Sequence, residues 1–398
     1  MGKSALSDIT VLDLTRVLCG PFATMWLGEM GANIIKVEIP NGGDESRRNP
    51  VFVNGQSSFF TSVNRNKRSI TLNLKSEEGK AIFRELVKQV DVVVENFRPD
   101  VMDRLGLGYE ELRKINDRLI YASVSGFGSY GPYAKRPAYD VIAQAMGGIM
   151  AVTGEKGGEP LKTGCSIADI TGGMNTVIGI LAALHARTLT GKGQRVETSL
   201  TESIIGLQLS EFNRYFVTGN ETPRTGNAYP ANCPYGSYHA KDGTFMIGVG
   251  KDDLFVKLCA QVLGKPEAAE DPRFNCISNR IAHYDEVGAL LEEWSTQHTV
   301  QEVVDTLLAN GIPAGPILSA GQIAEDPHFA GARNMFPTME QPGIGQFRVT
   351  AMPIKFTETP TGVQRPCPTL GQHNEEIYSD LLGMSQEQLE QLKQQGVI

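Results

Sequence analysis

The chain has 398 residues, 41% apolar and 21% charged, a balance that supports a sizeable core in about two domains and excludes global disorder. The formal net charge of −8 excludes a broadly basic nucleic-acid surface. The six cysteines (Cys19, Cys165, Cys233, Cys259, Cys276 and Cys367) form no CxxC pair, so neither a zinc ribbon nor a disulfide scaffold is indicated, and reduced thiols in a cytoplasmic protein are the simple reading. No apolar leader with a cleavage signal and no run of about 18 uninterrupted apolar residues is visible, so a soluble protein without a membrane role is expected.

Residues 9–14 read as a short apolar strand, and Gly20-Pro21 then opens a helix over 22–30 that Gly31 closes. Residues 33–38 form a second strand, completing a β-α-β unit of the kind that builds an open parallel sheet. The window Asn64-Arg65-Asn66-Lys67-Arg68 is basic, either a solvated turn or a contact for a phosphate-bearing ligand. Residues 69–74 read as extended, and Ser76 is positioned to cap a helix over 77–89. The strand 91–96 is continuously apolar in its middle, as a strand covered on both faces should be, and 119–124 repeats the pattern. A glycine-rich loop spans 126–133, helices follow over 140–150 and 171–189, then a strand at 195–200 and a helix at 201–217. Pro and Gly concentrate in 220–237, which reads as linker or active-site loop. Beyond it, a strand at 245–249 and helices near 252–263, 285–295 and 299–309 suggest a smaller α/β domain. The expected organisation is a large domain from 1–219, a linker and small domain from 220–328, and a return segment from 329–398 that completes the large domain.

Familiar chemical motifs are missing. The six histidines make no HExxH or comparable metal spacing, no GxSxG elbow is present, and no GxxxxGK[ST] phosphate loop occurs. Attention therefore falls on Asp169, in Gly164-Cys165-Ser166-Ile167-Ala168-Asp169, just ahead of Gly172-Gly173 and a long apolar stretch. An aspartate there is either a helix cap or a carboxylate able to attack an acyl group, with the two glycines letting a bulky ligand approach the backbone. Asn96 ends a central strand, the ligand side of an open sheet, or is a turn residue. Arg98 and Arg104 pair either a phosphate or a nearby carboxylate, and Asp140 is either a cap or part of a site.

Several segments occur together in order: Val11-Leu12-Asp13-Leu14 with Gly20-Pro21, Gly31-Ala32-Asn33-Ile34-Ile35-Lys36-Val37-Glu38, Asn66-Lys67-Arg68-Ser69-Ile70 with Leu72-Asn73-Leu74-Lys75, Asp91-Val92-Val93-Val94-Glu95-Asn96-Phe97, Tyr139-Asp140 with Ala143-Gln144-Ala145, Gly191-Lys192-Gly193-Gln194, and Pro368-Thr369-Leu370-Gly371-Gln372-His373-Asn374. In these the chain resembles the class III CoA-transferase family along its whole length. The resemblance implies a Rossmann-like large domain with an open parallel sheet, a smaller α/β domain and an interlocked homodimer. It implies that acyl-CoA is a substrate rather than a tightly bound cofactor, and that the partner substrate is a small carboxylic acid. It places Asp169 at the family's catalytic aspartate, which forms a mixed anhydride and then an aspartyl-CoA thioester. It places Asp140 at an acidic residue that orients the nucleophile or a neighbour. It sets Val17, Leu72, Lys75, Asn96, Phe97, Arg98 and Arg104 around CoA, with Lys75 and Arg104 as the foremost phosphate ligands. Leu18 and Cys19 fall where part of the CoA pocket and oxyanion donors are expected, and one such donor is worth about 3 kcal/mol.

Two departures stand out. The formyl-CoA transferases of that family carry a glutamine where Leu18 falls and a glycine run in a loop that here reads Asn227-Ala228-Tyr229-Pro230-Ala231-Asn232-Cys233-Pro234-Tyr235. Both count against formate-to-oxalate exchange, and Tyr229, Asn232 and Tyr235 suggest a somewhat larger acceptor acid. The related α-methylacyl-CoA racemases pair the aspartate with a histidine for two-base proton transfer; here that place holds Tyr139, a poor base near neutral pH. A CoA-binding protein without turnover is the remaining alternative.

Overall fold

In the computed structural model, which describes residues 4–398, six parallel strands form one open sheet. They are β1 (Thr10–Asp13), β2 (Asn33–Glu38), β3 (Lys67–Thr71), β4 (Val92–Glu95), β5 (Ile120–Ser125) and β6 (Arg195–Ser199). Their spatial order is β3-β2-β1-β4-β5-β6. The order reverses between β1 and β4, and a crevice opens outside the carboxyl ends of strands at such a point. The helices that matter to it are α1 (Cys19–Glu29), α2 (Glu77–Val87), α3 (Asp140–Met146), α4 (Ile167–Thr190) and α5 (Leu200–Leu207).

Side chains alternate across the sheet with the two-residue period of a strand. Val11, Ile34, Val92, Val94 and Ala122 face α1 and α4, packing on Ala23, Leu27, Val177 and Ile180. Leu12, Ile35, Val93 and Tyr121 face the other way, onto Phe83 and Leu86 of α2 and onto Ile377 and Tyr378. Ser76 caps α2 by accepting a 3.0 Å bond from the Gly79 N–H. By length and composition α4 is apolar enough to cross a membrane; in this fold Val177, Ile180, Ala183 and Leu184 are buried against the sheet layer, while Ile178 and Leu189 stay exposed.

The basic window 64–68 is neither solvated nor directed at a ligand. Lys67, fully buried, donates to Asp13 Oδ2 at 2.9 Å, to Pro21 O at 3.0 Å and to Asn64 Oδ1 at 3.0 Å. Arg65 pairs with buried Glu29 at 2.5 Å, and Arg68 with Glu376. Lys36, also fully buried, donates to Asp44 Oδ2 at 3.0 Å and to Thr15 O at 2.8 Å. Burial pushes the Lys67 ammonium down to about 8, against the pull of Asp13 and with the push of Lys36.

The edge strand β3 is covered by residues from the far end of the chain. Ser69 N donates to His373 Nδ1 at 3.1 Å, His373 N returns a 2.9 Å bond to Ser69 O, Thr71 N donates to Asn374 Oδ1 at 2.8 Å, and Tyr378 Oη donates to Thr71 O at 2.7 Å. The described residues of this unit are 4–149, 162–218 and 327–398.

The second compact unit comprises Met150–Leu161 and Gly219–Asp326. Its antiparallel sheet holds β7 (Tyr235–Ala240), β8 (Gly243–Gly248) and β9 (Ala314–Pro316) in the order β9-β8-β7. Phe245 and Ile247 pack with Val287 and Leu291 of helix Tyr284–Ser295 and with Val303 and Leu307 of helix Val300–Ala309. The segment 150–161 joins this unit through Gly226 N to Gly154 O at 2.9 Å and Arg224 Nε to Gly158 O at 2.9 Å. Strand β7 starts inside the stretch expected as linker: the prolines stop at Pro234, Gly236 lies within the strand, and Tyr238 turns inward to the core.

Replacing Lys67 by Met removes the ammonium paired with Asp13 and leaves that buried carboxylate to Thr15, Thr24 and the more distant charge of Lys36, and breaking a buried pair from one side costs about 3–5 kcal/mol. Urea unfolding of Lys67→Met is expected to show a loss of that order; a loss under about 1 kcal/mol contradicts this account of the buried pair.

Candidate active site

Asp169 is the third residue of α4, so it is part of the helix rather than a cap ahead of it. The N-cap residue Ser166 makes no side-chain cap bond. A carboxylate from another helix takes that role: Asp140, the first residue of α3, accepts from Ala168 N at 2.8 Å and from Asp169 N at 3.2 Å through Oδ1. Two backbone N–H groups left open at a helix start are thereby satisfied. The Asp140 Oδ2 atom accepts from Gln144 Nε2 at 2.6 Å, one turn along α3.

The glycines after Asp169 have a different use from the one expected of them. A Cβ on Gly173 would lie 2.8 Å from Cys19 O, and one on Gly172 would lie 2.8 Å from Leu200 Cδ2 and 3.2 Å from Cys19 Sγ. Their lack of side chains lets the start of α4 lie directly on the first turn of α1 and on α5. Asp169 is consequently brought to Leu18 and Cys19 at the carboxyl end of β1.

A cavity of about 180 Å³ opens at the β1/β4 reversal and is lined by Val17, Leu18, Asn96, Phe97, Arg98 and Asp169. A larger one, about 560 Å³, is lined by Leu72, Lys75, Phe97 and Arg98. Arg16, Phe97 and Arg98 line both, so the two cavities adjoin along these residues and form the groove of this site, with Asp169 in one half and Lys75 in the other. Arg104 lies apart: it is exposed on the short helix Val101–Arg104, its Nε donates to Asp100 O at 3.3 Å, and it lines neither cavity. Asp140 lies behind the nucleophile rather than in the cavity wall.

The side chain of Asn96 is committed to the chain itself. Its Oδ1 accepts from Arg16 N and its Nδ2 donates to Arg16 O, both at 2.8 Å, so the end of β4 clamps the loop after β1. In that loop Val17 adopts a φ of 67°, a conformation that costs a β-branched residue energy and is retained where the surroundings impose it. Asp44 accepts from Val17 N at 3.3 Å, while Asp44 is itself held by Lys36.

Among the described residues Asp169 has no ion-pair partner. Burial, and then the charge of Asp140, pushes its carboxyl up to about 7. The adjacent Cys19 thiol is buried and its ionisation pushed far up, by burial first and by Asp169 second. A carboxylate without a cation, held at the end of a cleft beside a neutral thiol and a helix start, is under-solvated and available to an electrophile. A second raised carboxyl, Glu95, is pushed to about 7 by burial and lines a neighbouring cavity of about 240 Å³ with Arg98 and Tyr121.

Sequence reasoning missed Arg16, Arg136 and Gln144. Arg16 and Arg136 line the Asp169 cavity, Arg136 at 3.9 Å over the ring of Tyr133. The cue for Arg136 is its place between the glycine-rich loop and Tyr139, which Gly126 folds back so closely that a Cβ there would lie 2.3 Å from that of Ala138. The cue for Gln144 is its i, i+4 spacing from Asp140 on a short helix.

A model of CoA-transferase family III matches residues 6–374. The chain is 40% identical to a formyl-CoA:oxalate CoA-transferase of Streptomyces coelicolor over 420 residues, covering 100% of both chains. It is 39% identical to a succinyl-CoA–D-citramalate CoA-transferase of Chloroflexus aurantiacus over 395 residues, covering 99% of this chain and 98% of that one. The crystal structure of a CAIB/BAIF family protein from Brucella suis superposes with a TM-score of 0.83 at 39% identity, covering 95% of this chain and 100% of that one. With a doubly wound sheet that gathers the aspartate, the strand-end residues and the groove in one place, the chain belongs to CoA-transferase family III and is an enzyme of that class.

Proposed function

We propose that this enzyme moves coenzyme A from an acyl-CoA to a short dicarboxylic acid through covalent intermediates on Asp169. The observation that carries the reading is the placement of a half-buried carboxylate, without an ion-pair partner among the described residues, at one end of a groove whose other end holds Lys75, with Arg98 between the two. The nucleotide end of CoA lies toward Lys75, and the thioester reaches Asp169 past Arg98, Phe97 and Leu18. The names of the two relatives support the acceptor class, since oxalate and citramalate each carry two carboxylates. The racemase alternative has less support: Tyr139 is exposed at the cavity wall, and no histidine is among the described residues lining it.

The Asp169 carboxylate attacks the thioester carbonyl carbon, the C–S bond breaks and CoA leaves as thiolate, giving a mixed anhydride. The thiolate then attacks the aspartyl carbonyl carbon and displaces the donor acid, leaving an aspartyl-CoA thioester. The acceptor carboxylate attacks that thioester, thiolate leaves again, and its attack on the acceptor's acyl carbon forms the product acyl-CoA and frees Asp169. One thioester is conserved throughout, so no ATP is consumed. Each tetrahedral intermediate carries negative charge, which the open backbone N–H groups at the start of α1, beside Leu18 and Cys19, are placed to stabilise. Asp140 positions the nucleophile's helix turn without reacting. The free thiols of all six cysteines suit a reducing compartment such as the cytoplasm. The exposed apolar side chains Ile178, Leu189, Leu209, Phe216 and Val217 support a homodimer.

Wild-type protein incubated with succinyl-, acetyl- or formyl-CoA without acceptor, then acid-quenched, is expected to gain one CoA by intact mass at Asp169, and oxalate or another dicarboxylate should discharge it. Asp169→Asn should form no adduct. Absence of adduct with every donor, together with α-proton exchange into solvent, overturns the transferase reading.

The nucleophile must be ionised, so kcat/KM is expected to fall about tenfold per pH unit below about 7. The same shift has a stability sign. A carboxyl whose folded-state pKa is raised stabilises the fold only at low pH, and that contribution is lost as pH rises from the unfolded value near 3.9 through about 7. Asp169→Asn should therefore be more stable than wild type at pH 8, by on the order of 1–2 kcal/mol after allowance for the helix terminus, with the gap shrinking toward pH 4. Thermal unfolding at the two pH values checks this.

A further inference from the structure

We propose that Gln144 is the positioning residue of the nucleophile: it fixes both the Asp140 carboxylate and the chain arm leading into Asp169, and so sets the attack geometry of the aspartate. The inference rests on Asp169 being the nucleophile, as argued above. Gln144 is fully buried and uses its whole amide. Its Nε2 donates to Asp140 Oδ2 at 2.6 Å and to Cys165 O at 3.4 Å. Its Oε1 accepts from Thr163 N at 2.9 Å. The single Thr163 hydroxyl proton is shared between Cys165 O at 2.9 Å and Gln144 Oε1 at 3.2 Å, which draws the 163–165 arm together.

One side chain thus joins two supports of the same atom. The first is Asp140, whose other oxygen holds the N–H groups of Ala168 and Asp169. The second is the arm 163–165, which enters α4 and has no side-chain cap of its own at Ser166. Asp140 could hold the helix start from more than one rotamer; the Gln144 donor selects the one in which Oδ1 faces Ala168 and Asp169. The charge of Asp140 is one of the two causes of the raised Asp169 carboxyl, so the rotamer also sets how much of that charge the nucleophile feels. Gln144 does not line the cavity. A fully buried amide is costly unless its polar atoms are used, and here both are.

Two substitutions separate positioning from packing. Gln144→Met keeps length and volume and removes every hydrogen bond of the amide. Gln144→Glu keeps the shape, and a carboxyl 2.6 Å from Asp140 shares one proton with it, because two like charges at that range cannot both ionise. The shared proton restores the donor to Asp140 and leaves the local charge unchanged.

The measurement is the single-turnover rate of the CoA adduct from succinyl-CoA (or whichever of the three donors charges the wild type), as a function of concentration and pH. Gln144→Met is expected to lower the maximal rate roughly 10- to 100-fold, the scale of a displacement of about 1 Å. Its half-saturating donor concentration should stay within about twofold of wild type, and its acidic limb should move below the wild-type position, since an Asp140 carboxylate released from that rotamer turns its charge away from the nucleophile. Gln144→Glu should recover most of the rate. A Gln144→Met enzyme with the wild-type rate and pH profile overturns the proposal, as does equal loss in both variants with weakened donor binding and a lowered unfolding temperature, which marks a packing role. Failure of the wild type itself to form an adduct is a separate result and removes the nucleophile reading on which this one stands.

Discussion

The fold is organised around charges that have been taken out of water. Asp13 on β1, Lys36 beside it in register on β2, and Lys67 on β3 are all fully buried, and Asp44 and Glu38 complete the group with Arg47 at its margin. Each ion on its own would be prohibitive in the interior; the group is tolerable only because every member is paired and hydrogen-bonded. That requirement reaches the active groove. Lys36 holds Thr15 O and Asp44, Asp44 holds Val17 N, and Asn96 clamps Arg16, so the loop at the end of β1 is fixed from below and from one side. The positive φ of Val17 is sustained by these contacts.

Asp169 is treated in the opposite way. Burial pushes Asp13 up, but Lys67 and Lys36 with Thr15 more than offset it, and the carboxylate is held below its ordinary value. Burial pushes Asp169 up as well, and the nearest charge, Asp140, pushes in the same direction. Two aspartates of one domain are thus separated in acidity by their neighbours alone, which is how one fold divides carboxylates between structural and chemical work. The cost of holding Asp169 unpaired is met by rigid surroundings: two glycines that bring α4 onto α1, and a capping carboxylate fixed by a buried amide.

Strand patterns and the parallel sheet were legible because burial on both faces leaves an apolar signature that does not depend on distant residues. The window 64–68 was not, since its partners Asp13, Glu29 and Glu376 lie tens to hundreds of residues away and charge alone does not reveal burial. Gly172 and Gly173 stand in the expected place, but only the packing of α1 shows that a helix, not a ligand, occupies the space they leave. Strand β7 was hidden by the prolines before it, and β3 begins at Lys67 rather than Ser69 because a buried lysine does not read as strand. Leu72, Lys75 and Phe97 were found through resemblance alone, and Asn96, Arg98 and Arg104 first through their place after a central strand; all but Arg104 border the groove. The Gln144 network joins residues 19 to 29 positions apart and leaves no mark in composition.

The cover over β3 has a consequence for how the protein is made. Ser69 bonds to a segment about three hundred residues further on, the Gly371 N–H reaching its hydroxyl across 302 positions. During synthesis all six strands of the sheet are therefore complete long before the residues that shield its outer rim leave the ribosome. For most of that interval an unpaired strand border is open to other chains. Ribosome-bound intermediates are thus the stage at which this protein is most exposed to aggregation, and chaperones that engage nascent β edges would act there.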